Sequence, residues 1–367
     1  MKYYIIAGEA SGDLHGSNLI KELQKKDPSA AIRCWGGDLM KATGATLVKH
    51  YSELAFMGFV EVVANLRTIL RNLDFCKQDI QAFQPDLIIF IDYPGFNLRI
   101  AKWAKQCGFR TVYYISPQVW AWKENRVKTI RASVDKMLVI LPFELDFYKK
   151  WDYPVTYVGH PLVEVIDRFK EENSSIQRNP KLIALLPGSR KQEILKKLPV
   201  MLATTKDFPD YSFVVAKAPG VSDDFYSPLL ADYPNVSTTS NATYAVLMQA
   251  EAALVTSGTA TLETALFGVP EVVCYKGNKL SYLIARQLIK VKYISLVNLI
   301  MDRLVVKEMI QDDMNPNNLR AELNELLNNA GYRRRIMDDY KSLHDVLKKG
   351  GNASSNAANE IWNWLNA

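Results

Sequence analysis

The chain has 367 residues, of which 48% are hydrophobic and 23% charged, and carries a formal net charge of +6. These values describe a globular chain with enough apolar material for a large core; at roughly 150 residues per domain it divides into two. The positive charge is mild and its only dense clusters are Arg333-Arg334-Arg335 and Lys348-Lys349, which argues for small anionic ligands or an anionic lipid surface rather than duplex nucleic acid.

The amino-terminal stretch MKYYIIAGEASGD lacks the basic region, long apolar core and cleavage site of a secretion signal, and Cys34, Cys76, Cys107 and Cys274 show no CxxC spacing. A reducing cytoplasm, with no disulfide framework and no zinc site, is the expectation. No window reaches 18 uninterrupted apolar residues, so no transmembrane helix is expected.

Short β-rich runs recur at Tyr3–Ala7, Ala31–Trp35, Leu87–Ile91, Thr111–Ile115 and Lys136–Ile140, separated by helix-length segments. That alternation predicts a doubly wound parallel sheet. Between Leu54 and Leu73, the residues Phe59, Val62, Val63, Leu66, Ile69 and Leu70 fall at helical spacing, interrupted by Glu61, Arg67 and Arg71. Such an amphipathic helix either lies in a membrane interface or covers one face of the sheet; periodicity does not separate the two. The polar stretch DRFKEENSSIQRNPK, residues 167–181, reads as a linker. A second strand–helix series follows at Leu182–Leu186, Phe213–Ala216, Ala252–Thr256 and Glu271–Tyr275. The predicted organisation is an α/β domain over 1–166, another over 167–340, and a helical tail over 341–367.

Both halves open alike. YYIIAGEASGDLHG and LIALLPGSRKQEI each run from an apolar strand through a glycine turn into a helix, where exposed N–H groups favour an anion. Neither is a GxGxxG fingerprint or a GxxxxGK[ST] loop, so nicotinamide and ATP readings lose support; the alternative is that these glycines only permit tight turns. In ALVTSGTATLETALFGVP a strand ends at Thr256, and Ser257, Gly258 and Thr259 form a hydroxyl-rich turn before a helix carrying Glu263. That turn suits a diphosphate and Glu263 suits a pair of ribose hydroxyls, though an ordinary capped helix would look the same locally. Gly188, Ser189 and Arg190 join this donor set, because Arg190 occupies a helix start where a cation is disfavoured unless an anion binds there.

LIIFIDYPGFN places Asp92 at the end of an apolar strand, either as a proton acceptor at the rim of a site or as the cap of an Asx turn. ISPQVWAWKENRV sets Trp120 beside Gln118, an aromatic shelf for a sugar or else core packing. Glu9, Ser11, Gly12 and Asp13 form the first loop, and His160 lies in VGHPL near the domain boundary, where a structural histidine is the competing reading.

These stretches, together with ELAFMGFVEVV, LPFELDFY and YISLVNLI, stand in family order from residue 3 to about residue 310 and make the sequence similar to the lipid-A-disaccharide synthases. The resemblance implies a GT-B architecture, two Rossmann-like domains facing across a cleft, with the acceptor on the first and the nucleotide on the second. It also implies an inverting transfer from UDP-2,3-diacylglucosamine to 2,3-diacylglucosamine 1-phosphate (lipid X), giving a β-1',6-linked disaccharide and UDP. Asp92 matches the family's proposed base, and Asn298 in SLVNLI a position associated with the donor, although a lone Asn is also a common turn former. On chemical grounds one carboxylate suffices for such a displacement, and Arg190 is the first candidate to stabilise the departing diphosphate. With no DxD triplet in the chain, no metal and no other cofactor are expected. The acyl chains of both substrates imply a peripheral site on the cytoplasmic face of the inner membrane, and a homodimer is left open. Many family members carry a second aspartate where this chain has Gly95. Two other readings share the Ser-Gly-Thr turn and Glu263: another GT-B UDP-sugar enzyme, such as an epimerase or a transferase with a soluble acceptor, and a non-catalytic nucleotide-sugar-binding protein.

Overall fold

The computed structural model describes residues 1–54, 66–122, 124–278, 282 and 291–367. The chain forms two compact units: Met1–Pro161 with Leu347–Ala367, and Leu162–Val346.

The first unit is built on seven parallel strands, β1 (Lys2–Ala7), β2 (Ala31–Gly36), β3 (Thr46–His50), β4 (Leu87–Ile91), β5 (Thr111–Tyr114), β6 (Lys136–Val139) and β7 (Thr156–Tyr157), in the order β3-β2-β1-β4-β5-β6-β7. Its central strands read as continuous apolar runs because helices cover both faces, and all five residues of β4 are buried. The Ala353–Asn366 helix belongs to this unit. It packs on the Ala10–Lys26 helix, its Glu360 pairs with Lys136 at 2.6 Å, and Asn356 Nδ2 donates to the Val158 carbonyl at 3.1 Å.

In the second unit six parallel strands, β8 (Leu182–Leu186), β9 (Ser212–Lys217), β10 (Val236–Ser240), β11 (Ala252–Thr256), β12 (Glu271–Tyr275) and β13 (Lys307–Ile310), follow the order β10-β9-β8-β11-β12-β13. The strands the sequence pattern overlooked, β3, β7, β10 and β13, lie at or beside sheet edges, where half the pairing is missing and polar residues such as those of VSTTS are tolerated.

Three expectations meet the structure differently. The first part of the expected linker is helical: Pro161–Glu172 forms a helix whose Leu162, Val163 and Ile166 are buried, and the units divide at Pro161/Leu162 rather than after residue 166. The second division falls at Val346/Leu347, inside the Ala330–Lys348 helix. Of the proposed membrane residues, Phe59, Val62 and Val63, and the side chain of Leu66, lie outside what is described; Ile69 and Leu70 sit on the Leu66–Phe83 helix, with Ile69 packed against the core and Leu70 exposed.

Candidate active-site loops

In each sheet the chain reverses its winding once, between β1 and β4 in the first unit and between β8 and β11 in the second. The carboxyl ends of such strand pairs diverge, and the crevice between their loops is where open α/β sheets bind ligands. The loops at these four strand ends carry Gly8-Glu9, Asp92-Tyr93, Gly188-Ser189-Arg190 and Ser257-Gly258-Thr259.

At the first switch point Asp92 leaves β4 with φ +42°, and Tyr93 follows with φ +49°. Two successive non-glycine residues in the left-handed region are strained, and the neighbouring contacts hold them there. Tyr113 Oη donates to the Asp92 carbonyl, and Asn97 Nδ2 donates to the same oxygen at 2.7 Å and to Ile6 O and Ile91 O at 3.3 and 3.2 Å. The Tyr93 ring lies over Gly8, where an added Cβ would fall 2.3 Å from it. Burial pushes the Asp92 carboxyl up to about 7, the negative charge of Glu9 adds to the rise, and the Tyr93 backbone N–H opposes it. A carboxylate poised near neutrality is suited to take a proton from a hydroxyl. Asn97 and Tyr113 escaped the sequence reading; the only signal was an Asn five residues beyond the acid.

The rest of the expected acceptor set separates. Glu9 stands at the N-terminal boundary of the Ala10–Lys26 helix, near enough for its charge to act on Asp92, while Ser11 and Gln118 are exposed. Asp13 is 3% exposed and accepts the backbone N–H groups of Gly37, Leu39 and Met40 at 2.7, 3.1 and 3.0 Å, so its carboxylate caps the Asp38–Ala42 helix instead of meeting a substrate. Gly12 serves close helix–sheet packing: a Cβ there would stand 3.0 Å from Ala7 Cβ. Trp120 is buried edge-on against Phe143 with ring centroids 4.9 Å apart, which makes it core rather than an aromatic shelf. His160 is 4% exposed and neutral, pushed down to about 3 by burial and by its neighbour His15. It is a core side chain.

At the second switch point Gly188 has φ +118°, and Arg190, at the N-terminal boundary of the Lys191–Thr205 helix, is exposed and pairs with Glu193 at 3.1 Å. Gly258 has φ +149° with nothing within 4 Å of an added Cβ, so its surroundings are open. Ser257 Oγ donates to Ile294 O at 2.9 Å, while Thr259 is exposed at the start of its helix. Glu263 accepts the Tyr244 hydroxyl at 2.8 Å, and burial raises its carboxyl. Asn298, expected at the donor, is engaged within the protein. Fully buried, its Oδ1 accepts Val305 N and Val306 N at 2.8 and 3.0 Å, and its Nδ2 donates to Val306 O and Glu308 at 2.8 and 2.9 Å. With every polar position of the amide used, the side chain ties a loop together. Lys197, which the sequence reading passed over, lies buried between Glu193 and Thr256.

A profile described as lipid-A-disaccharide synthetase matches residues 3–362. The chain belongs to the lipid-A-disaccharide synthetase family. It is similar to the lipid-A-disaccharide synthase of Syntrophus aciditrophicus, 41% identical over 360 residues that cover 95% of this chain and 94% of that one, and to that of Geobacter sulfurreducens, 39% identical and covering 95% and 93%. Among solved structures it resembles the glycosyltransferase of kitacinnamycin (TM-score 0.68, 16% identity, 99% of each chain) and the calicheamicin glycosyltransferase CalG4 (TM-score 0.61, 17% identity, 100% of this chain and 98% of that one). The two parallel-sheet units form a GT-B fold, and this family member is a glycosyltransferase of lipid A biosynthesis. Its relatives' name places lipid-A precursors among its substrates. Among the described residues no helix is long and apolar enough to cross a membrane.

Proposed function

We propose that this family member transfers the sugar of UDP-2,3-diacylglucosamine to the 6-hydroxyl of 2,3-diacylglucosamine 1-phosphate in one inverting displacement, releasing UDP. The observation that carries the reading is Asp92, an acid at the carboxyl end of β4, at the switch point, and held near neutral pKa. Asp92 removes the hydroxyl proton as the acceptor oxygen attacks the anomeric carbon; the bond to the diphosphate breaks with its electrons on UDP. Positive charge builds on the sugar ring and negative charge on the leaving group, so the second need is a cation and N–H donors at the diphosphate. Arg190 and the turns at Gly188–Ser189 and Ser257–Thr259 meet it, and Glu263 holds the ribose. Gly95, where many family members have a second acid, leaves Asp92 as the acid of the LIIFIDYPGFN stretch.

The acceptor and donor are lipids, and the protein takes them from the cytoplasmic face of the inner membrane without spanning it. Supporting this are the net charge of +6 and the Leu66–Phe83 helix, where Leu70 and Phe75 are 52% and 44% exposed near Arg67 and Arg71. The deciding assay gives purified protein both substrates in mixed micelles, with and without EDTA, and measures UDP and the tetra-acyl disaccharide phosphate. Equal product in the two arms is expected. Absence of disaccharide from the wild type rejects the reaction, and loss of product only with EDTA rejects its metal independence.

A further inference from the structure

The second switch point contains a charged cluster of which the reaction above uses only Arg190. Glu193, in the first turn of the Lys191–Thr205 helix, sits beneath the Gly188 turn, where a Cβ on Gly188 would come within 2.6 Å of its Oε2. The same carboxylate pairs with two cations, Arg190 at 3.1 Å on the solvent side and Lys197 at 3.9 Å on the inner side. Lys197 is 4% exposed. Its ammonium donates to Thr256 Oγ1, on the last residue of β11 just before the Ser257–Thr259 turn, and lies 6.0 Å from the centre of the Tyr275 ring. Two cations around one carboxylate leave one positive charge in surplus.

A buried ammonium is costly to desolvate and is retained where an anion or a close set of acceptors compensates it. Here burial lowers the ammonium's pKa and Glu193 opposes the fall. If Lys197 were absent, Glu193 would be balanced by Arg190 alone, holding that guanidinium on the protein and leaving the turn neutral. With Lys197 present at 3.9 Å, the inner cation shares the carboxylate with the exposed Arg190 at 3.1 Å, which lowers the cost for Arg190 of exchanging that pair for an anionic ligand. We propose that Lys197 is a positioning residue for the nucleoside diphosphate: it holds Glu193 from within, releases Arg190 to the phosphates, and fixes the β11 turn through Thr256. The inference rests on the donor assignment made above and adds to it the residue that sets the charge of the site.

Binding of UDP to the full-length protein, followed by calorimetry, provides the test, with melting curves to follow folding. Lys197→Gln keeps a donor for Thr256 but removes the charge, and its UDP affinity is expected to fall by about tenfold or more, as loss of the surplus positive charge of the cluster implies. Lys197→Arg retains the charge and should stay within about threefold of wild type, and Glu193→Gln combined with Lys197→Gln restores the charge surplus and should regain most of the loss. A residue serving packing alone would give the opposite pattern, with the double variant weaker still. Unchanged UDP affinity in Lys197→Gln, or no recovery in the double variant, overturns the proposal. Should Lys197→Gln fail to melt cooperatively, Glu193→Gln alone carries the test: it must bind UDP at least as tightly as wild type, and weaker binding overturns the inference. Failure of the wild type itself to bind UDP would reject the donor assignment instead.

Discussion

The two switch points share an architecture and differ in charge and backbone. At the first, an acid stands beside a second acid on strained, non-glycine backbone, with Asp92 and Tyr93 both at positive φ. At the second, two cations share one carboxylate and the unusual backbone angles belong to glycines, Gly188 and Gly258. The contrast suits the role proposed for each. A proton acceptor gains from desolvation and like charge, which raise its pKa and so its basicity. An anion holder gains from surplus positive charge and from backbone N–H groups that can approach closely, and glycine permits that approach. On the proposed reaction, proton transfer and leaving-group stabilisation would fall to separate units of one chain.

The largest expected effect breaks the first half of the contrast. Asp92→Ala should lower kcat by about 10³ while changing the donor KM little, since general-base catalysis supplies roughly 10²–10⁴. Wild-type kcat/KM should rise with pH and level off above about 7, as the Asp92 carboxyl loses its proton. Steady-state kinetics from pH 5 to 9 checks both, and a flat profile would remove Asp92 from the role of base.

Next comes the stability cost of holding that acid in place. Because the folded-state pKa of Asp92 is raised from 3.8 to about 7, the native protein binds its proton more tightly than the unfolded chain does. Stability therefore falls as pH rises through that window, and the cost is complete above it. Asp92→Asn should be more stable than wild type at pH 8, by on the order of 4 kcal/mol, and not at pH 3. Urea unfolding at the two pH values measures the difference; equal destabilisation at both would mean the shift is absent.

The smallest effect separates scaffold from site in the second unit. Asn298→Ala should cost about 2 kcal/mol of stability, because the Val305, Val306 and Glu308 groups lose buried partners. UDP affinity should change far less than in Lys197→Gln. A variant that keeps its melting temperature and loses UDP binding would return Asn298 to the donor site.

Much of this was legible along the chain. Apolar runs such as LIIFI and LIALL specify buried parallel strands, and a glycine turn or a carboxylate directly after such a run lands at a strand's carboxyl end. Asp92, Gly188, Arg190 and the Ser257–Thr259 turn were singled out for that reason, and they do lie at the carboxyl ends of β4, β8 and β11. For Asp13, Asn298, Trp120 and His160 the pattern left a ligand role and a scaffold role open, because their neighbours are distant in sequence: the N–H groups that occupy Asp13 come from residues 37, 39 and 40. A polar side chain spent on the scaffold and one presented to a ligand look identical until its partners are known.

By itself, then, the sequence determined the two parallel sheets, the turns at their strand ends and the family, since these depend on local hydrophobic period and on short motifs. Only the tertiary structure decided which polar groups are free. Burial sets the pKa of Asp92, the close approach of Tyr93 requires Gly8, and the shared carboxylate of Glu193 joins Lys197 to Arg190. Each of these depends on desolvation or on through-space charge, quantities that exist only once the segments have packed.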